Sequence, residues 1–340
     1  MIALTGPGDQ APDPTPSGES DAAARASGSE APFPKRRDLR NSDKAYSPED
    51  PETNPAAETG QEAPEEEPKD YGKAGRNLPA AIGIGLLIGG VVLVSLIVFP
   101  ISFLFIILIA IVAAMWELAN ALSRSGSVVS RIPTMVSAAC MVVATFVGGR
   151  EALWVTFAAS AGAVMLFTMV ERRKNAVKDV SLSLFALTYV GLMACFLVYL
   201  LTQPDGNLYV ILFLASVVAS DTGGYVFGVL WGKHPIAPRI SPKKSWEGYI
   251  GSVIFAAAVA TVLAVTLFDA PFWTGLVFGV VIPAFATLGD FSESMIKRDL
   301  ELKDMGTLLP GHGGVMDRLD SILPTAPVAL VMFSVLPGYL

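Results

Sequence analysis

The stretch that decides the fold is residues 79–122, which read PAAIGIGLLIGGVVLVSLIVFPISFLFIILIAIVAAMWELANAL. Its only charged residue is Glu117, and Pro100 divides it into two apolar runs. A helix that crosses a hydrocarbon core of about 30 Å needs roughly 17 to 25 residues, and each run has about that length. Proline lacks an amide donor and opposes helix continuation, so Pro100 separates two helices. The stretch therefore predicts two consecutive transmembrane helices.

Comparable apolar runs recur through the rest of the chain. Of the 340 residues, 52% are hydrophobic and 16% are charged, which is outside the range of a soluble globular domain. We expect an all-α polytopic integral membrane protein with about nine transmembrane helices. The predicted spans are residues 79–99, 101–122, 132–148, 152–170, 181–201, 208–232, 249–268, 272–288 and 322–338.

The N-terminal tail, residues 1–77, differs in character. Residues 1–70 hold 16 of the 31 acidic residues and 7 of the 24 Lys and Arg residues, so their net charge is -9 and the remainder carries about +2. The tail has few large apolar side chains whose burial could offset the loss of chain entropy. We expect a disordered tail. No apolar run follows the start Met, so we expect no signal peptide and a cytoplasmic tail.

The loops between the predicted spans alternate in positive charge. Lys and Arg collect before the first span and after the second, fourth, sixth and eighth, whereas the intervening connections carry only Arg150 beside Glu151. Positive loops favour the cytoplasmic side, so the two longest interhelical segments should lie in the cytoplasm and the C-terminus outside. Cys140 and Cys195 sit inside apolar runs, which supports neither a disulfide nor a zinc site.

The first long segment combines cations, hydroxyls and glycines, a mixture that suits a polyphosphate. Lys243 and Lys244 could also be an ordinary positive loop that sets topology. Asp221 lies inside an apolar span, where an ionised group is costly and usually lines an aqueous cavity or pairs with a cation. Glu117, in the second span, could be an interhelical polar contact or part of a site.

The second long segment alternates carboxylates with cations. Asp317 and Asp320 are three residues apart and share one face if the stretch is helical, and Asp290 ends the preceding span. Three carboxylates at a membrane surface suit a hard cation such as Mg²⁺, which points to metal-assisted phosphoryl or nucleotidyl transfer. Asp317 and Arg318 could instead form interfacial ion pairs, and residues 310–314 could be only a flexible turn.

The order and spacing of these residues resemble the signature of the phosphatidate cytidylyltransferase family. The earlier segment is similar to the family's second block, with Gly224 and Ser245 where many relatives have Ala and Thr. The resemblance is specific over residues 208–325 and general over 79–207. The signature residues are Ser294, Lys297, Arg298, Lys303, Asp304, Pro310, His312, Gly313, Gly314, Asp317, Arg318 and Asp320.

The resemblance implies that a phosphate oxygen of phosphatidic acid attacks the α-phosphorus of CTP and expels pyrophosphate. The catalytic region would then be residues 208–340, with the signature at 294–320. Residues 78–207 would form N-terminal transmembrane helices that precede it. Asp290, Asp317 and Asp320 would bind Mg²⁺, while Asp221, Lys243 and Lys244 would form the nucleotide side or hold a second cation, monovalent or divalent. Contacts to the substrates would come from Ser220, Arg239, Ser241, Glu247, Ser294, Lys297, Arg298, Lys303, His312, Gly313, Gly314 and Arg318.

The resemblance also implies a bacterial plasma membrane protein with its active site on the cytoplasmic face, a possible homodimer and no nucleic-acid partner. Three other functions can be weighed on the sequence. A lipid kinase that uses CTP would release CDP but does not account for the long signature. A CDP-alcohol phosphotransferase would carry four aspartates in one gapped helical motif, which is absent. A transporter would more often bury its charges in discontinuous central helices.

Overall fold

The computed structural model describes residues 78–171, 175–306, 308 and 313–339. The described chain is almost entirely helical, which confirms the predicted all-α membrane fold. The expected disorder of residues 1–77 concerns residues outside the described part. The elements are α1 (Leu78–Val98), α2 (Pro100–Ser123), α3 (Arg131–Val170), α4 (Ala176–Leu201), α5 (Gly206–Trp231), β1 (Pro235–Ala237), β2 (Ser241–Ser245), α6 (Trp246–Phe268), α7 (Phe272–Asp299), α8 (Met316–Leu319) and α9 (Ile322–Val335).

Helix α3 is a hairpin of two spans. It has 40 residues and would be about 60 Å long if it were straight. Gly149 has φ 64° and ψ -146°, a conformation essentially limited to glycine. The hydroxyl oxygens of Ser130, just before α3, and Thr168, near its end, are 3.3 Å apart. The two halves therefore fold back on each other, which confirms the predicted break between residues 148 and 152.

This hairpin reconciles the number of helices with the predicted nine spans. Within the described residues, seven helical stretches are long and apolar enough to cross a membrane: α2 to α7 and Met316–Val335. Counting the halves of α3 separately gives eight, and α1, apolar over Gly85–Val98, is the ninth. Pro100 begins α2, as the sequence predicts.

Small residues bring the C-terminal helices close together. A side chain on Gly223 of α5 would overlap the backbone of Gly251 on α6, and one on Gly279 of α7 would overlap Ala257. Such close backbone approach is typical of helix packing in membranes, where small residues make up the interface. The apolar core lies mainly in α2 to α5 and continues into α7 and α9, and it includes Met115, Met141, Val190, Phe213, Phe278 and Phe333.

Candidate active site

A cavity of about 380 Å³ lies where α5, β2, α6, α7 and α8 meet. Aspartates, lysines, an arginine and several hydroxyl groups line it. The two long segments that the sequence singles out therefore converge on one space, although they are separated by two spans in the sequence. Of the predicted site residues, those that line the cavity are Ser220, Asp221, Lys243, Lys244, Asp290, Asp317, Arg318 and Asp320.

Asp221 reaches the cavity from α5. The helix continues through this position to Trp231, so the carboxylate lies on a membrane-spanning segment, and its side chain is exposed. Lys244 and Arg318 are close enough to interact with it electrostatically. The Ser252 hydroxyl of α6 donates to the Ser220 carbonyl at 2.7 Å, which ties the two helices together beside the aspartate.

Lys243 and Lys244 are presented by a short antiparallel hairpin of β1 and β2, which pairs Pro235 with Ser245. The Glu247 carboxylate fixes the base of this hairpin. It accepts the amides of Lys233 and His234 at 3.1 and 3.2 Å and contacts His234 Nδ1 at 2.5 Å. Glu247, predicted to contact substrate, therefore faces the hairpin backbone outside the cavity lining.

Lys244 forms an ion pair with Asp290 of α7 across the cavity. Its ammonium group also lies 5.2 Å from the centre of the Phe291 ring, a cation–π arrangement. Burial lowers the pKa of Lys244 to about 8, against the opposing influence of Asp320 and Asp221. The ammonium group is thus held among carboxylates on the lining of the cavity.

Asp317 is the most densely bonded carboxylate of the site. It accepts from Lys297 Nζ at 2.9 Å, from the Gly314 amide at 2.9 Å and from the Met305 amide at 3.1 Å. Lys297 also donates to Glu293 at 2.7 Å. Asp317 therefore fixes the segment that leads into α8, and Lys297 links that segment to α7.

Other predicted contacts lie around the cavity rather than on its lining. Arg298 is exposed and its Nε donates to the Ile240 carbonyl at 3.4 Å, while Arg239 and Lys303 are also exposed. Ser241 and Ser294 are half-buried. Gly313 has φ 82°, in the region that favours glycine. His312, with Pro310 and Gly311, lies outside the described residues.

The sequence analysis missed several residues of this region. Glu293 is fully buried, and its Oε1 has no hydrogen-bond partner within the described chain. Tyr189, from the π-helical part of α4 (Leu187–Leu192), is close enough to Asp320 and Glu293 to interact electrostatically. A carboxylate beside the signature was the available signal for Glu293. The cavity lining adds Tyr225, Tyr249, Ser252 and Thr287.

The fit of a metal ion can be judged from these carboxylates. Four carboxylates line the cavity, and oxygen donors of this kind suit Mg²⁺. They are Asp221, Asp290, Asp317 and Asp320. In the described chain no three His, Cys, Asp or Glu side chains are arranged around one point as ligands. Asp290 and Asp317 are instead paired with Lys244 and Lys297. The donor chemistry fits a hard cation.

A separate apolar groove of about 500 Å³ adjoins the signature segment at Leu308. It runs between α2 and α3, and Leu308 of the signature segment forms part of its wall. Trp116, next to Glu117 in sequence, and Met135 of α3 also line it. A groove of this composition between membrane helices suits a hydrocarbon chain.

Comparison with known proteins gives a family match over most of the chain. Residues 79–336 match the model of the Cytidylyltransferase family. The phosphatidate cytidylyltransferase of Mycobacterium leprae (strain TN) is 39% identical in an alignment of length 296, which covers 79% of this chain and 91% of the relative. The phosphatidate cytidylyltransferase of Mycobacterium bovis (strain ATCC BAA-935 / AF2122/97) is 36% identical in an alignment of length 308, which covers 84% of this chain and 97% of the relative.

A more distant relative matches over a shorter stretch. The phosphatidate cytidylyltransferase of Staphylococcus saprophyticus subsp. saprophyticus is 34% identical over 170 residues, which are 50% of this chain and 65% of the relative. The mycobacterial matches are the longer ones, and the family model spans residues 79–336, which include the membrane helices α2 to α9 and the residues that line the cavity.

Proposed function

The chain belongs to the cytidylyltransferase family, and we propose that it transfers the cytidylyl group of CTP to phosphatidic acid, forming CDP-diacylglycerol and pyrophosphate. Membership makes the chain an enzyme, a nucleotidyltransferase. The proposal for the substrates is carried by one observation. Two charged segments meet at a single cavity among apolar helices and bring Asp290 and Asp317 together with Lys243, Lys244 and Arg318.

The reaction joins two anions. A phosphate oxygen of phosphatidic acid forms a bond to the α-phosphorus of CTP as the bond from that phosphorus to the bridging oxygen breaks, and pyrophosphate leaves with its electron pair. The substrate supplies the nucleophile, so no side chain needs to. Lys243, Lys244 and Arg318 line the cavity and would reduce the repulsion between the phosphates. Most of the catalysis would come from positioning and charge stabilisation.

The proposal includes dependence on a metal. Asp290, Asp317 and Asp320 would hold Mg²⁺, and Asp221 would complete this set or hold a second cation. The ion would neutralise charge on the phosphates. Lys244 and Lys297 pair with Asp290 and Asp317, so these lysines would hold two of the aspartates in place, and Lys244, which lines the cavity, would also bind phosphate.

The proposal also covers the cellular setting. The apolar groove beside Leu308 offers a place where an acyl chain could remain among apolar side chains. We expect the enzyme to act in phospholipid biosynthesis in a bacterial plasma membrane, with its cavity open to the cytoplasm, where CTP is found. The positive loops at this end of the helices support that orientation. A homodimer is part of the same proposal.

The decisive experiment follows label from CTP. Purified full-length protein in lipid is given CTP labelled in the cytidine, with or without phosphatidic acid and Mg²⁺. We expect label in the lipid extract only when both are present. Asp317→Asn should lower the rate on the order of 100-fold or more, because it removes a proposed ligand of Mg²⁺ and the charged partner of Lys297. Asp299→Asn, at an exposed residue that ends α7, is the matched control.

Other outcomes would each overturn the proposal. Label released as CDP would favour a lipid kinase. Folded protein that never turns over CTP would favour a transporter. If Asp317→Asn leaves the transfer rate unchanged, the cavity is not the site of the reaction.

A further inference from the structure

Glu117 is a buried acidic residue outside the cavity. It is the only charged residue of α2 and only 1% of its surface is exposed. An ionised group inside an apolar span is costly unless it has partners that replace water. The partners of Glu117 must therefore explain how a carboxylate is tolerated at that position.

The partners of Glu117 are backbone amides of the signature segment. Its Oε2 accepts from the Met316 amide at 2.9 Å, and its Oε1 accepts from the Leu308 amide at 3.4 Å. These two residues lie on either side of residues 309–312 in the sequence. Met316 is the first residue of α8, and Asp317 follows it directly. One side chain from α2 thus contacts the segment both before and after its central residues.

Two glycines allow this contact. A side chain on Gly306 or on Gly314 would overlap the Glu117 carboxyl group. The Gly314 amide donates to Asp317 Oδ2 at 2.9 Å. Gly314 therefore lies between two carboxylates, Glu117 on the side of α2 and Asp317 on the side of the cavity. The backbone at Gly314 and Met316 connects the two.

From this geometry we propose that Glu117 is a positioning residue for the transfer reaction, acting through the backbone of Leu308, Gly314 and Met316 to hold Asp317 in the cavity. The inference rests on the proposed function. The sequence left two alternatives for Glu117, an interhelical polar contact or part of a site. The proposal favours the second, because the hydrogen bonds of Glu117 go to backbone amides of the signature segment. The position of Asp317 would then depend on Glu117, through the backbone, as well as on its direct bond to Lys297.

The chemistry of the contact explains why a carboxylate is needed. Both partners are N–H donors, and an ionised carboxylate only accepts, so it can receive both. Glutamine has nearly the same shape, but its NH₂ group would face one of the two donors. Replacement by Gln should therefore lose one hydrogen bond while it leaves the packing in place.

The test compares Glu117→Gln with Glu151→Gln in the full-length protein. Glu151 is exposed and forms an ion pair with the neighbouring Arg150, which makes it a matched control for the same chemical change. We expect Glu117→Gln to lower kcat roughly 10- to 100-fold, the range seen when residues that orient a site are removed. The KM for CTP should change less than threefold, because Lys243 and Lys244 are untouched. Glu151→Gln should leave both unchanged.

A second measurement reports on position directly. Amide hydrogen exchange at residues 305–308 and 313–316 should be faster in Glu117→Gln and unchanged in Glu151→Gln. A Cβ on Gly306 would meet the Glu117 side chain first. Gly306→Ala therefore disturbs the same contact from the side of the signature segment, and its effect on kcat and that of Glu117→Gln should be clearly less than additive in the double variant.

The possible failures are distinguishable. If Glu117→Gln keeps kcat within twofold of the unchanged protein, or if its lost activity matches its loss of folded protein, Glu117 does not position Asp317. If the unchanged protein transfers no cytidylyl group, the proposed function fails. The exchange data would then still decide whether Glu117 fixes residues 306–316.

Discussion

At the scale of single residues, the two adjacent lysines of β2 differ in their partners. Both line the cavity, but it is Lys244 that pairs with Asp290 and lies against Phe291. Lys243 is exposed and Lys244 is half-buried. When one partner of such a pair is removed, the other charge is left poorly compensated. Much of the free-energy cost of the substitution comes from that unpaired charge.

We therefore expect Lys244→Ala to lower kcat/KM for CTP more than Lys243→Ala does. The expected loss for Lys244→Ala is about 10- to 100-fold, because Asp290 loses its ion-pair partner and the nucleotide loses a cation. Lys243→Ala should cost less than about tenfold, since it removes only a cavity charge. Steady-state kinetics with saturating phosphatidic acid measure both, and equal losses would contradict the assignment.

The sequence could indicate the aspartates and lysines of the cavity because charge inside or beside an apolar span is unusual and their order matches a family signature. It could not indicate which partners Glu293 and Glu247 bind. Glu293 matters through Lys297, which bridges it to Asp317, and Glu247 binds the hairpin backbone. Those partners are set by three-dimensional packing, which spacing along the chain does not reveal.

At the scale of elements, α5 and α6 depend on glycine where they approach most closely. A Cβ on Gly223 would lie 2.8 Å from Phe255 Cβ and closer still to the Gly251 backbone, whereas a Cβ on Gly228 would meet nothing nearer than 3.9 Å. These two glycines lie on the same helix, five positions apart. They therefore separate the effect of close packing from that of helix propensity.

We expect Gly223→Ala to destabilise the protein by about 1 to 3 kcal/mol, because the added methyl group forces the helices apart. Gly228→Ala should be neutral or slightly stabilising, since alanine favours a helix over glycine by about 1 kcal/mol. Thermal unfolding in detergent distinguishes them. A Tm for Gly223→Ala equal to that of Gly228→Ala would show that the helices tolerate separation.

The elements also differ in how well the sequence specifies them. Pro100 and the glycines at 148 and 149 mark helix boundaries that local chemistry predicts. The β1–β2 hairpin was not predicted, because its second strand, Ser241–Ser245, reads SPKKS and has no alternating apolar pattern. The hairpin depends instead on Glu247, which binds the Lys233 and His234 amides at its base.

At the scale of the whole molecule, the charges and the family match divide the chain in the same place. The match begins at residue 79, where the apolar chain begins, and it excludes the acidic tail. Fold class and family were predicted from the sequence and are confirmed, because apolar length and a long spaced signature are both local properties. The orientation in the membrane stays a prediction from the positive loops.

We expect deletion of residues 1–68 to leave turnover within about twofold, because the cavity and all its described contacts lie after residue 78. The comparison requires equal amounts of correctly inserted protein, measured by gel-filtration recovery and by transfer of cytidylyl label. A loss of most activity in protein that is well folded would show that the tail takes part in catalysis.

The α3 hairpin has a consequence for how the chain is laid into a bilayer during synthesis. The two arms of the hairpin begin and end on the same side of the bilayer. Arg150 and Glu151 at its tip form an ion pair at 3.5 Å, so the tip has no net charge when it crosses the bilayer. The hairpin is thus a paired insertion unit that leaves the sidedness of every later helix unchanged. Excising or duplicating it as a whole would preserve the topology of the catalytic half, whereas losing one arm would invert it.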